Sequence, residues 1–386
     1  MPEVTLEADG SQDALLVRVR AGDAEGWGEC ESSPLTSIAA FVAPRSHGVC
    51  RPVSDSVLGE RLDGPDDIRR IARQVARNSM DLLQAPHTFS GIEIALWDLL
   101  GRARDEPVWR MLGGRTAHGK LPYASVLFGD TPDETIARGR EVVARGFRAV
   151  KFGWGPFGHG TAAADADQLH AAREAIGSDH ALMVDAGQVW ENDVDAASER
   201  MGALNDVGAL WLEEPFGASE FDAYRTLAAR SGSVRLAGGE GAHEEAMARN
   251  LLRHADIGYI QIDTGRVGGI GPSARIAEIA QHAGVTYVNH TFTSHLALSA
   301  SLQAYAAMPD HLICEYPAEP KQLAVDLTTS HLHLDADGLV HPPDAPGLGI
   351  TVDLEALSPY LRSVVITVDG ESLYSSAQPD SSAGSS

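Results

Sequence analysis

The sequence predicts an α/β protein: a (β/α)8 TIM-type barrel, modified by a C-terminal return, behind an N-terminal α+β capping domain. Three observations predict it. From about residue 121, short apolar runs rich in β-branched residues alternate with longer helical patterns. Eight such runs follow one another, and strict strand–helix alternation calls for parallel pairing with right-handed crossovers. Residues 1–115 break that rhythm, and a chain of 386 residues exceeds what one small core occupies. A doubly wound open sheet is the competing topology, but no GxGxxG follows an early strand.

The elements read in order as follows. Within residues 1–115, "TLEADGSQDALLVRVRAGDAEGWGEC" has the pattern of two strands and a turn, whereas "GPDDIRRIARQVARN" and "SGIEIALWDLLGRAR" are helical. "GGRTAHGK" links this layer to the barrel, residues 116–317. The barrel strands are "LPYASVLF", "AVKFG", "ALMVDAG", "ALWLEEPF", "VRLAGGEG", "YIQIDTGR", "VTYVNHT" and "HLICEYP". Residues 318–372 contain "DLTTSHLHLDADGLVHPPDAPGLGITVD", strand and turn material suited to a return to the capping domain. Residues 373–386 have the composition of a disordered tail.

Composition excludes several function classes. A net charge of −24 argues against nucleic acid, because phosphate binding needs clustered Lys and Arg. The acidic start lacks a basic n-region with an apolar core, and no run approaches the roughly 18 apolar residues of a membrane span. Cys30, Cys50 and Cys314 form no CxxC and no even framework, which fits reduced thiols in a cytoplasm. The same charge would repel an anionic substrate unless bound cations offset it locally. Lysine occurs only at Lys120, Lys151 and Lys321, so arginine supplies nearly all the positive charge.

In such a barrel the active site lies where strands meet the loops that follow them. The third strand ends in Asp185, the fourth in Glu213 and Glu214, and the fifth in Glu240. A single acid at such a place is commonly a helix cap or a salt-bridge partner. Three in register on adjacent strands would repel one another unless neutralised, and a hard divalent cation such as Mg2+ is the natural counter-charge. Lys151 ends the second strand, Asp263 the sixth and His290 the seventh. Basic groups on both sides of a metal site suit proton transfer at carbon.

These residues give the chain a family resemblance. It resembles the enolase superfamily, specifically its mandelate racemase-like subgroup (the mandelate racemase/muconate lactonizing enzyme family), over nearly its whole length. "GWGEC" and "GIEIALWDLLGRARDEPVWRMLGG" are similar to the capping domain, and "PDAPGLGI" to the C-terminal return. The resemblance implies Asp185, Glu213 and Glu240 as Mg2+ ligands, Asp263 and His290 as a catalytic dyad, and Glu315 of "CEY" as a hydrogen-bond partner of the substrate carboxylate. The muconate-lactonizing subgroup carries a lysine where Asp263 stands. Two departures are visible. Gly153 replaces the second lysine of the KxK pair, leaving Lys151 as either an electrostatic group or a base. "DAG" (Asp185, Ala186, Gly187) replaces Asp-x-Asn.

The implied chemistry is abstraction of the proton α to a carboxylate through an enediolate. Dehydration of an acid sugar is the expectation. Cycloisomerisation of an anhydro-sugar acid or sugar lactone is the alternative, with racemisation or epimerisation of a 2-hydroxy acid beside it. A ligand-binding barrel without turnover is the reading from a different class. Trp154 in the glycine-rich "GWGPFGHG", a stretch that suits a ligand-facing loop, is a further candidate for the substrate pocket together with His243, His295 and Ser33. The capping stretch "ESSPLTSIAAFVAPRSHG" is the expected substrate-contacting loop. A homo-oligomer is implied by resemblance.

Overall fold

The computed structural model describes residues 13–30 and 34–376. Strands β1 (Leu15–Ala21) and β2 (Ala24–Cys30) form an antiparallel hairpin turned at Gly22. Helices α1 (Pro34–Val42), α2 (Pro65–Asn78), α3 (Ala85–Arg104) and α4 (Val108–Met111) complete the first layer. The expected substrate loop is therefore helical over Pro34–Val42, while Ser33 lies outside the described residues. β2 lies against α3 because Gly26, Gly28 and Gly91 let the two backbones approach. A Cβ at Gly28 would stand 2.1 Å from the Gly91 carbonyl oxygen.

Eight parallel strands follow: β3 (Leu121–Leu127), β4 (Ala149–Gly153), β5 (Ala181–Asp185), β6 (Ala209–Glu213), β7 (Arg235–Gly238), β8 (Tyr259–Ile262), β9 (Thr286–Asn289) and β10 (Ile313–Tyr316). Between them run α5 (Pro132–Ala144), α6 (Ala162–Ile176), α7 (Val194–Ser198), α8 (Met201–Asp206), α9 (Phe221–Ala228), α10 (Glu245–His254), α11 (Ile270–His282) and α12 (His295–Tyr305). Each strand from β3 to β8 pairs with the next, and β10 pairs back onto β3. Alternation along the strands sends Tyr123, Ala149, Met183, Trp211, Ala237 and Val288 into the barrel interior and Val150, Leu182, Leu212 and Ile260 toward the helices.

The β9–β10 seam is closed by a side chain in place of a ladder. Asn289 Nδ2 donates to the Glu315 carbonyl (3.1 Å), and the Glu315 N–H donates to Asn289 Oδ1 (3.1 Å). The Tyr305 hydroxyl donates to the same Oδ1 (2.9 Å).

The C-terminal segment runs back along the first layer. Buried Asp98 of α3 accepts the N–H groups of Trp27 (2.9 Å) and Leu348 (2.9 Å) and the Arg102 guanidinium (2.8 Å). It so ties β2, α3 and "PGLGI" together. Gly347, at φ 67°, fits against Asp98 where a Cβ would stand 2.3 Å from Oδ1. Two short helices, α13 (Gln322–Asp326) and α14 (Leu354–Leu357), precede the hairpin β11 (Val365–Val368) and β12 (Glu371–Ser375). The tail expected over residues 373–386 overlaps β12, in which Tyr374 and Ser375 pair with β11, and residues 377–386 lie outside the described residues. No helix among the described residues is long and apolar enough to cross a membrane.

Candidate active site

Strand alternation brings the predicted residues together at the C-terminal face of the barrel. Lys151 follows inward-facing Ala149 by two, Asp185 follows Met183 by two, and Glu213 follows Trp211 by two. Asp263, His290 and Glu315 occupy the corresponding places of β8, β9 and β10. All six are buried.

Lys151 Nζ lies 2.6 Å from Glu213 Oε1, 3.3 Å from Glu315 Oε1 and 3.4 Å from Asp185 Oδ2. Burial disfavours its charge, but Glu213, Glu315 and Asp185 outweigh that and hold the ammonium well above its ordinary value. Three carboxylates hold it in place as a cation.

His290 stands opposite. Its Nδ1 is 2.8 Å from Asp263 Oδ2, and its Nε2 is 2.9 Å from Glu240 Oε2 and 4.0 Å from Glu315 Oε2. Asp263 is itself fixed by the Gly265 N–H on its other oxygen (2.7 Å). Burial works against the imidazolium, yet Glu240, Glu315 and Asp263 together raise it well above the usual histidine value. With Asp263 on Nδ1, the Nε2 edge is the one that faces the other acids of the site.

The acids are short of positive charge. Burial, reinforced by neighbouring carboxylates, pushes the Asp185 and Glu213 carboxyls upward and Glu214 up to about 7. Burial also acts on Glu240, but His290 and Arg266 outweigh it and hold that carboxyl low. Glu214 Oε2 accepts from Gln188 Nε2 (2.7 Å), whereas buried Oε1 has no partner among the described residues.

This all-oxygen donor set, with its orphaned oxygen, fits a hard divalent cation. Asp185, Glu213 and Glu240 would hold it, with Glu214 beside them. Among the described residues no three acids stand together as a metal-holding group; Lys151 and His290 occupy the oxygens that would face the ion.

The two departures noted in the sequence meet in space. Trp154 follows Gly153 at the end of β4 with φ 54° and its side chain largely exposed, 58 %. Its indole lies over Gly187, where an added Cβ would stand 2.9 Å from the ring. Gly153 faces Asp185, and a Cβ there would stand 2.7 Å from the Asp185 Cβ. A second lysine has no room, and the side chain lost at position 187 makes room for the indole. Gln188 (φ 63°) and Glu214 (φ 40°) share the left-handed region with Trp154, so three consecutive strand ends carry strained non-glycine residues. Strain of this kind, about 1–3 kcal/mol each, collects at functional sites.

The other candidates are spread. His243, in the loop after β7, stacks edge-on against His87 of α3 with ring centroids 4.7 Å apart. His295 opens α12, whose N-cap Ser294 accepts the Leu296 and Ala297 N–H groups on its hydroxyl. It is buried, its Nδ1 accepts the Leu332 N–H (3.1 Å), and its ring meets Tyr316 and His331, so its contacts are with the C-terminal segment. Sequence reasoning passed over Arg266, whose guanidinium lies 3.5 Å from Glu240 and 3.7 Å from Asp263, although it stands in the quoted "QIDTGR". It also passed over Gln188, which no motif marked.

A barrel with acids on consecutive strand ends and a capping layer over its mouth defines a class of acid–base enzymes. Residues 134–357 match the family model "Enolase C-terminal domain-like", and residues 3–113 match "Mandelate racemase / muconate lactonizing enzyme, N-terminal domain". The chain belongs to the enolase superfamily, in its mandelate racemase/muconate lactonizing enzyme subgroup. A crystal structure of a predicted mandelate racemase from Rhodobacter sphaeroides is 61% identical, covers 98% of this chain and 97% of its own, and superposes with a TM-score of 0.94. The D-galactarolactone cycloisomerase of Agrobacterium fabrum is 29% identical over 90% of both chains. The D-xylonate dehydratase of Haloferax volcanii is 29% identical over 74% of this chain and 70% of its own.

Proposed function

We propose that the protein catalyses β-elimination from an acid sugar, beginning with removal of the proton α to the carboxylate by His290, and that it is a dehydratase. The observation that carries this reading is the asymmetry of the two basic groups. Lys151 is locked among Glu213, Glu315 and Asp185, whereas His290 is oriented by Asp263 with its Nε2 toward the site. One mobile proton carrier serves an elimination, in which the imidazolium formed on proton abstraction returns that proton to the departing hydroxyl. A racemase needs a second base on the opposite face, and Gly153 leaves none there.

Members of the superfamily bind Mg2+, and the ion, when bound by Asp185, Glu213 and Glu240, supplies Lewis-acid stabilisation at the substrate carboxylate. Lys151 adds a fixed positive charge beside the developing enediolate, where electrostatic stabilisation counts most. Glu315, whose Oε2 accepts the Thr291 N–H (2.7 Å), is the proposed hydrogen-bond partner of the same carboxylate.

A second reading, cycloisomerisation of a sugar lactone, is favoured by the A. fabrum cycloisomerase, which matches over 90% of both chains. It uses the same first step and differs only in the leaving group, a ring oxygen in place of a hydroxyl. The test is incubation with Mg2+ and a panel of aldonates, aldarates and their lactones, scoring 2-keto-3-deoxy acid and α-proton exchange in D2O. Keto acid from an open-chain acid is the expected result. Turnover of lactones alone selects the second reading, and absence of both product and exchange across the panel refutes elimination.

A further inference from the structure

His87 is a polar group for which neither fold nor chemistry has yet given a use. It stands in the first turn of α3, one turn before Ser90, whose hydroxyl oxygen accepts the Gly268 N–H (2.8 Å) from the loop after β8. Residues three apart share a helix face, so His87 is on the side of α3 that looks onto the barrel mouth. Three contacts fix it there. Its ring meets His243, three residues beyond Glu240, at 4.7 Å and 73°. Its carbonyl accepts from Cys30 Sγ (2.9 Å). Gln84 Nε2, which also donates to the Ser37 hydroxyl oxygen, lies 3.2 Å from its Nδ1.

An amide nitrogen only donates, so Nδ1 must accept and the imidazole proton sits on Nε2. That Nε2–H is buried and has no partner among the described residues. Burial, with His243 and Arg266 nearby, holds the ring down to about 4, so it stays neutral and keeps the single donor. A buried donor left unpaired costs about 1–3 kcal/mol, which a ligand acceptor would recover.

We propose that His87 is a specificity residue contributed by the capping domain, its Nε2–H donating to an oxygen at the end of the substrate remote from the reacting carbon. Lys151 and His290 hold the reacting end at the strand termini, so an oxygen reaching α3 belongs to the other end of a polyhydroxylated acid. His243 sets the ring plane. This rests on the acid-sugar reading above and adds which end of the molecule the cap senses.

The test titrates Mg2+-loaded, 15N-histidine-labelled protein with D-xylonate, galactarate and glycolate, the last having no remote oxygen. It is repeated on His87→Phe and His87→Gln, with thermal unfolding to show that each is folded. A long acid should move the His87 Nε2 resonance and bind about tenfold more weakly to His87→Phe, with partial recovery in His87→Gln, the size of one hydrogen bond. Glycolate should bind all three proteins alike. A long acid that binds while His87 stays silent, or equal weakening for glycolate, overturns the inference and leaves elimination standing. Failure of both long acids to bind the wild-type protein overturns the acid-sugar reading and this one with it.

Discussion

At the scale of single residues the site separates two kinds of positive charge. Lys151 has three carboxylates within 3.4 Å and is held as a cation. His290 has Asp263 on Nδ1 and Glu240, with Glu315 farther off, on Nε2, and a cation on the acids would give Glu240 another counter-charge and free the Nε2 edge. The roles predict different failures. His290→Asn should abolish α-proton exchange in D2O, a loss of about 10²-fold to 10⁴-fold, because the proposed proton carrier is gone. Lys151→Met should slow exchange and elimination together by about 10²-fold to 10³-fold, as loss of one electrostatic group does. The ratio of the two rates is the readout. Exchange persisting in His290→Asn but vanishing in Lys151→Met would reverse the assignment.

At the scale of elements, the βα rhythm and strand alternation made the barrel and its inward acids legible, because both are periodic and local in sequence. Asp185, Asp263 and His290 could be placed from their distance to an apolar run alone. What is not periodic was hidden. Asn289 closing the β9–β10 seam looks like any strand-end amide until Glu315, 26 residues on, meets it. His87 and His243 are 156 residues apart, and no local pattern links them. The strand ends of β4 and β5 show the same limit: Gly153 and Gly187 read as two separate losses, and only the Trp154 indole joins them. Gly187→Asn should therefore cost about 1–3 kcal/mol from overpacking, with added strain because φ is 55°. In a Trp154→Ala background the overpacking part should disappear. Urea unfolding of the two single variants and the double variant gives the coupling, and strict additivity would show that the two positions are independent.

At the scale of the whole molecule, charge and pH act on stability in separate places. The net charge of −24 and the buried acids of the site make a cation stabilising wherever it binds the folded state alone. Mg2+ at a hundredfold its Kd should add about 2.7 kcal/mol, and EDTA should remove it. A Glu213→Gln variant whose unfolding midpoint still rises by the same amount would move the ion elsewhere. Acid acts at two buried histidines held down to about 4, His87 in the first layer and His295 beside the C-terminal return. His295 is buried in α12 against His331 and Tyr316, and burial, followed by the nearby His331 and His333, holds it down to about 4. In the unfolded chain the same ring titrates near 6.5. Between those values the unfolded state binds the extra proton, so stability falls as pH drops from about 6.5 to about 4 and is fully present above that window. The shift corresponds to at most about 3 kcal/mol. His295→Gln can keep an acceptor for the Leu332 N–H while removing the titration, so its unfolding free energy should decline less steeply over that window than the wild-type value. Parallel profiles for the two proteins would mean that His295 titrates freely in the folded state, and the acid sensitivity would then have to lie outside the seam between α12 and the C-terminal return.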